Sequence, residues 1–273
     1  MLRGFYTATA GMISQQRRME MLSNNMANAN TAGYKADQGS LRAFPEMLLQ
    51  RMEQQNQTNQ LHPLSPPNDP IRLSTGVYLQ ETQPSHTQGD LRPTGIDTDL
   101  AILNQNMPEG SSVYFTVEQQ DGTPRYTRNG NFTLDQQGYL TTGNGHYVLD
   151  ENNNRIQIAS RSFEVQPDGT ILEGNITTAR LNIAFAENPN DLIREGNGLY
   201  RPADNAAALT PAAANPNISY RISQGHIERS NVDTAKTMSE MTSAFRAFEA
   251  NQKIIQAYDT SMQKAANEIG RIN

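Results

Sequence analysis

The sequence predicts an α+β protein in which long N- and C-terminal α-helices form a coiled-coil-like element and carry between them an inserted, mainly antiparallel β domain of hairpins. Three observations lead there. Apolar residues recur in alternating steps of three and four at both ends; the long stretch between them lacks that period; and all five Asn-Gly or Asp-Gly pairs of the chain fall in that stretch.

The N-terminal seam runs Phe5, Ala8, Met12, Gln15, Met19, Leu22, Met26 without a proline, and predicts a helix from residue 2 to about 30. It stops in SNNMANANTAGYK, Ser23 to Lys35. Asn side chains compete with the helix for backbone groups, Gly33 can take the left-handed conformation that ends a helix, and Tyr34 can fold back onto the last turn. A shorter helical pattern follows at Phe44 to Met52, with Pro45 at a first helical position. Residues 1–52 therefore read as an N-terminal helical assembly region. The Pro/Gln-rich stretch 53–70 has no period and reads as an extended linker.

Over residues 71–200 the period drops to two, the mark of a β domain. Ser112–Glu118, Gly138–Thr142, Tyr147–Leu149, Arg155–Ile158 and Arg180–Phe185 are short β-branched or aromatic runs. The Asn/Asp-Gly pairs at 121/122, 129/130, 144/145, 168/169 and 197/198 predict tight hairpin turns, since both turn residues need positive φ. Residues 201–224 are Pro/Ala-rich and read as a linker returning to the stem. The C-terminal helical assembly region, 225–273, opens with Ser230 to Asp233, whose S-x-x-D spacing is that of a capping box. Its seam is Met238, Met241, Phe245, Phe248, Gln252, Ile255, Asp259, Met262, Ala266, Ile269. Gln15 and Gln252 are polar members of the two seams, placed to set register. A stripe this narrow cannot anchor a long helix without a partner. A helical hairpin packed on the body satisfies it, and so does an assembly surface shared with further copies.

Composition narrows the function. Mean hydropathy is -0.67 and net charge -6, with residues 1–51 at +3, 225–273 neutral and the middle at -9. An acidic middle and ends without a basic run disfavour nucleic acid. There is no cysteine for a disulfide, thiolate metal site or thiol nucleophile. Thr7, Thr9, Ser14 and Gln15 break up any secretory h-region, and no run is long and apolar enough to span a membrane. His62, His86, His146 and His226 are scattered without metal-ligand spacing, and no hydrolase or phosphate-loop motif occurs. Asp97 and Asp99 in GIDTDLAI would share one face of a strand, the one arrangement here that suits a carboxylate pair. With no second cluster beside them, the expectation is no catalytic, cofactor or metal site, and no enzyme.

NNMANANTAGYK resembles the motif that opens the axial proteins of the bacterial flagellum, the rod and hook family. TGIDTDLAI is similar to the start of that family's β domain, TRNGNFTLDQQGYLTTGNGHYVLD to its F-x-x-D-x-x-G-x-L hairpin, and GHIERSNVDTAKTMSEMTSAFRAFEANQKIIQAYDTSMQKA to its C-terminal helix. The order is the family's, nearly the full length is covered, and the likeness is closest to the distal-rod, hook-basal-body type. One departure is LNQNMPEGSSVYFTV after DLAI, where the family has G-x-G-F-F. The resemblance implies a structural subunit of the basal-body rod that self-assembles into a tubular axial structure linking motor to hook. Its partners would be itself, other rod and hook proteins and the flagellar export apparatus, with export needing no cleaved signal peptide. The motif residues carried over are Asn25, Ala27, Asn28, Asn30, Thr31, Gly33, Tyr34, Lys35, Ser230, Asn231, Val232 and Asp233. The implied assembly interface is Phe5, Met12, Met19, Leu22, Met26, Met241, Phe245, Phe248, Ile255, Met262 and Ile269. The competing readings are a rod-associated cell-wall hydrolase with helical arms and a helical adaptor module.

Overall fold

The computed structural model describes residues 2–43, 47–49, 71–73, 76–119, 121–160, 162–203, 207–216 and 218–269. The chain divides into two units: residues 1–23, 39–82 and 238–273 in one, and 24–38 with 83–237 in the other.

The first unit is built on two long helices, α1 (Leu2–Ala27) and α2 (Thr234–Ile269). Their pairing is antiparallel: Gly4 lies against Tyr258, Gly11 against Asn251, and Arg18 binds Glu240 at 3.3 Å. A Cβ added at Gly4 would sit 2.0 Å from the Tyr258 hydroxyl, and one at Gly11 2.9 Å from the Asn251 amide, so the missing side chains are what let these groups in. Strands Asp37–Ala43 and Val77–Pro84 form a two-stranded ribbon, and Met47–Leu49 pairs with Ile71–Leu73. That last strand corrects the helical reading of 44–52: where the segment is described it pairs across the chain, and pairing overrides local propensity. The linker reading of 53–70 lies outside the described residues.

The second unit holds the main core, and Ser112–Glu118 is its hub. Phe115–Glu118 pair with Pro124–Thr127 on one edge; on the other, Ser112–Phe115 pair with Ile183–Ala186 and Val117–Glu118 with Tyr147–Val148, all antiparallel. The sheet continues through Leu199–Pro202 to Leu192–Gly196 at one end and through Leu140–Thr142 to Phe132–Leu134 at the other. Val113, Phe115 and Val117 enter the main core with Leu100, Phe132 and Ile171, while Tyr114 enters a smaller cluster with Tyr126, Leu192 and Tyr200. With both faces covered, Ser112 to Val117 are all buried instead of alternating between inside and outside. The segment that departs from the family pattern, Leu103–Val117, thus supplies nearly all of this strand and the second half of Leu100–Asn106 before it.

Four of the five Asn/Asp-Gly pairs join strands that pair with each other, and only Asn197-Gly198 has both residues at positive φ, 51° and 73°. Asn129-Gly130 is no hairpin turn. Gly130 is needed there because a Cβ would lie 1.6 Å from the Leu100 carbonyl oxygen, which this strand must approach. Arg155–Ile158 forms only isolated bridges, through Arg155 and Gln157. The 201–224 segment carries a strand of its own, Ser219–Gln224, paired with Leu100–Asn106, and His226–Glu228 pairs with Leu91–Pro93 before α2 begins.

Candidate functional site

Two places gather the residues singled out in the sequence: the α1–α2 stem and a polar joint in the second unit. Along α2 the partly or fully buried row is Thr237, Met241, Ala244, Phe248, Asn251, Ile255, Tyr258, Met262, Ala265. Met241, Phe248, Ile255 and Met262 belong to the expected seam. Its other row does not face inward: Met238 is 66% and Phe245 51% exposed, and Gln252, Asp259 and Ala266 are exposed as well. The inner positions one residue earlier are Thr237, Ala244, Asn251, Tyr258 and Ala265, and the absent side chains of Gly4 and Gly11 on α1 leave the space that Tyr258 and Asn251 fill. On α1, Ala8 and Leu22 are buried and Phe5, Met12, Gln15, Met19 and Met26 half-buried, so Gln15 can serve register while Gln252 cannot. The side chain of Ile269 lies outside the described residues.

The joint uses the Asn-rich motif as a set of clamps. Gly33 takes the left-handed conformation at φ 67°, and the chain turns so that the Tyr34 hydroxyl reaches the Oδ1 atoms of Asn24 and Asn25 at 3.0 and 3.1 Å. Asn25, buried, grips Asp37 from both sides: Oδ1 accepts its N–H and Nδ2 donates to its carbonyl, each at 2.8 Å. Asn28 donates to the Asn24 carbonyl and accepts from Thr31, whereas Ala27 and Asn30 are exposed. Arg194 donates to the Lys35 carbonyl at 2.7 Å and the Asp37 carboxylate at 3.1 Å, with its guanidinium 4.9 Å above the Tyr34 ring.

Residues on the far side of the sequence close the joint. Asn231 accepts from the Ala36 N–H at 2.7 Å and donates to the Ser85 and Thr87 carbonyls at 2.8 and 3.1 Å. Ser230 accepts from Val232 N–H, but the cap of α2 is Asp233, whose Oδ1 accepts from Lys236 N–H at 3.0 Å. The cap thus lies three residues beyond the expected Ser230, and with Lys236 at the third helical position it is a single cap, not a box.

At its centre lies a buried ion triad. Glu228 accepts from Lys35 Nζ at 2.6 Å and from Arg128 Nε at 2.5 Å, with all three side chains 1% exposed. Further bonds surround the triad: Lys35 donates to the Thr87 carbonyl, Arg128 to the carbonyls of Val113 and Ile102 and to Asn104, and Gly89 N–H donates to Glu228. Burial by itself would raise the Glu228 carboxyl, but Arg128, then Lys35, outweigh it and hold it below the usual carboxylate range. Burial lowers the Lys35 ammonium against the pull of Glu228. Sequence reasoning placed Lys35 here through the motif and missed Arg128 and Glu228. Both stand in the motif stretches, as TRNG and GHIE, but an isolated charge reads as a solvated face.

The carboxylate pair does not form. Asp97 is exposed in a turn, while Asp99 is buried and accepts from Asn131 Nδ2 at 3.1 Å. Among the described residues no cluster could hold a metal and no helix is long and apolar enough to cross a membrane.

The three parts of the joint fall in three family matches. Residues 5–35 match "Flagella basal body rod protein", 110–173 the "Flagellar hook protein FlgE/F/G D1 domain", and 223–268 "Flagellar basal body rod FlgEFG protein C-terminal". The chain is 46% identical to the flagellar hook-basal body complex protein FlhO of Bacillus subtilis over the whole of both chains. It belongs to the flagellar basal-body rod family. Within that family it is also 31% identical to the rod protein FlgG of Bacillus subtilis, over 98% of this chain and 99% of that one. To the rod protein FlgF of Caulobacter vibrioides it is 30% identical, over 98% of each. Lys35, Arg128 and Glu228 each lie in a different one of the rod family's three segments.

Proposed function

We propose that the protein is a structural subunit of the bacterial flagellar basal-body rod that polymerises through the outer faces of its paired terminal helices. The carrying observation is where the stem leaves its apolar residues. Tyr6, Ile13, Met238, Phe245 and Ile254 are each between 44% and 66% exposed on α1 and α2, an arrangement that in water calls for a further copy or another rod protein. A groove of about 490 Å³ runs along the outer face of α1, lined by Tyr6, Ala10, Ile13 and Arg17 and walled by Val77 and Leu79, and offers a seat for such a helix. A contact of this kind, between two different faces of the same stem, is head-to-tail and extends into a filament wherever its rotation does not close into a ring.

The expected interface accordingly divides by role. Phe5, Met12, Met19, Leu22, Met26, Met241, Phe248, Ile255 and Met262, all at least half-buried, hold the hairpin together, and Phe245 meets the neighbour, joined there by Met238, a seam residue outside the expected interface. Other rod and hook proteins are the natural partners at the ends of the stack, and the flagellar export apparatus is the natural route, leaving the subunit at the basal body. The test is Phe245→Asp. The purified variant keeps the wild-type circular dichroism and melting profile but fails to enter basal bodies isolated from cells; normal incorporation overturns the assignment. Phe248→Asp loses incorporation and also loosens the hairpin, seen as early proteolysis of α2.

A further inference from the structure

The geometry points to Glu228 as a completion lock: the last strand before α2 carries the carboxylate that pairs with two cations buried from earlier parts of the chain, so the second unit closes only when both terminal segments are in place. The sequence separations make the case. Glu228 meets Arg128 across 100 residues and Lys35 across 193. Arg128 reaches inward from just past the end of strand Pro124–Thr127 and is 2% exposed; Lys35 leads out of the Asn-rich motif and is 1% exposed. With His226–Glu228 absent, both would sit in a low-dielectric interior with carbonyl acceptors and no anion, and Arg128 already disfavours charge on Lys35. The backbone is tied in as well. Gly33 N–H donates to the Glu228 carbonyl at 2.8 Å, and Arg229 N–H to the Asp90 carbonyl at 2.8 Å. Gly33 has no space for a side chain, since a Cβ would lie 2.5 Å from the Arg128 carbonyl carbon.

The arithmetic of charge is asymmetric. Removing Lys35 leaves a neutral Arg128–Glu228 pair, and removing Arg128 leaves a neutral Lys35–Glu228 pair. Removing Glu228 leaves two facing cations. A lock of this kind therefore predicts a reversal of sign that simple packing does not. In the native protein Lys35→Met is destabilising; in a Glu228→Gln background the same Lys35→Met is stabilising, because it removes one of two unpaired charges. The inference concerns the second unit alone and stands whether or not the stem polymerises.

The experiment is equilibrium unfolding of the full chain and its variants, with pulsed hydrogen exchange during refolding of the native protein. Glu228→Gln lowers the folding constant by about 10²–10³-fold and Glu228→Asp, which keeps the charge, by less; adding Lys35→Met to Glu228→Gln raises the constant again by about tenfold. In the native protein the Gly33 amide gains protection at the rate of the Arg229 amide. Further destabilisation by Lys35→Met in the Glu228→Gln background overturns the lock. So does protection of Gly33 before Arg229, a measurement that needs no variant to fold.

Discussion

The joint and the stem solve opposite problems with the same chain. In the joint, charged and amide side chains are taken out of water and every one of Lys35, Arg128, Glu228 and Asn231 is given partners. In the stem, large apolar side chains such as Met238 and Phe245 are left in water while Gly4, Ala8 and Gly11 occupy the inside. A buried polar network tolerates few arrangements, because each unmade bond carries a full desolvation cost. A helix pair meeting on small residues tolerates sliding, and its free outer face gains from a neighbour. The contrast assigns specificity of fold to the joint and capacity for assembly to the stem.

The largest effect expected on this contrast comes from Gly130→Ala. Its Cβ would collide with the Leu100 carbonyl and displace the bond that Leu100 N–H donates to the Gly130 carbonyl at 2.9 Å. A loss of about 3 kcal/mol or more follows, read as a lowered urea midpoint of the second unit. Gly11→Val is the counterpart in the stem. It pushes on Asn251, a side chain that can move, and costs about 2 kcal/mol of helix pairing. Exchange protection in α2 falls while the Ser112–Glu118 amides keep theirs; equal loss in both would erase the distinction.

Acid separates the two regions more gently. Burial, then Lys35 and Arg194, lower His86 to about 4, so the folded state holds it neutral where the unfolded chain, at about 6.5, takes up a proton. Stability contributed by this group falls as pH drops from about 6.5 towards 4. Glu228, held below the usual carboxylate range, adds its loss as pH falls from that ordinary range down to its own lowered value. The melting midpoint of the second unit therefore drops by several degrees between pH 7 and 4, and His86→Gln flattens the upper part of that fall. An unchanged slope in that variant assigns the acid loss elsewhere.

The division between what the sequence discloses and what it hides runs along the same line. The turn after α1 was legible because Gly33 and Tyr34 act on their own neighbours, and so was the hairpin at Asn197-Gly198. One row of each helix was legible as well. The second inner row of α2 lies one residue before the large apolar side chains of the sequence period, because the close helix approach at Gly4, Ala8 and Gly11 places Ala244, Asn251 and Tyr258 inside. Asp37–Ala43 carries no strand period in the sequence, since most of its residues are exposed. Arg128 and Glu228 were hidden for a different reason: a buried charge is recognised by its partner, and the partners lie 100 and 193 residues away.

The smallest effect expected is at Arg18–Glu240, and it sharpens the comparison from the other side. This pair and Lys35–Glu228 are both ammonium- or guanidinium-to-carboxylate contacts between distant parts of the chain, but here each side chain is 34% exposed and the separation is 3.3 Å. Water screens the attraction, and two long side chains must be ordered to make it, so a double-mutant cycle of Arg18→Ala and Glu240→Ala gives a coupling of about 0.2–1 kcal/mol that shrinks with added salt. The cycle through Lys35 and Glu228 gives a larger coupling that salt leaves nearly unchanged, since the ions that screen cannot enter. If the two cycles responded alike to salt, burial would not be what distinguishes joint from stem, and the stem pair would have to be counted among the elements that fix the fold.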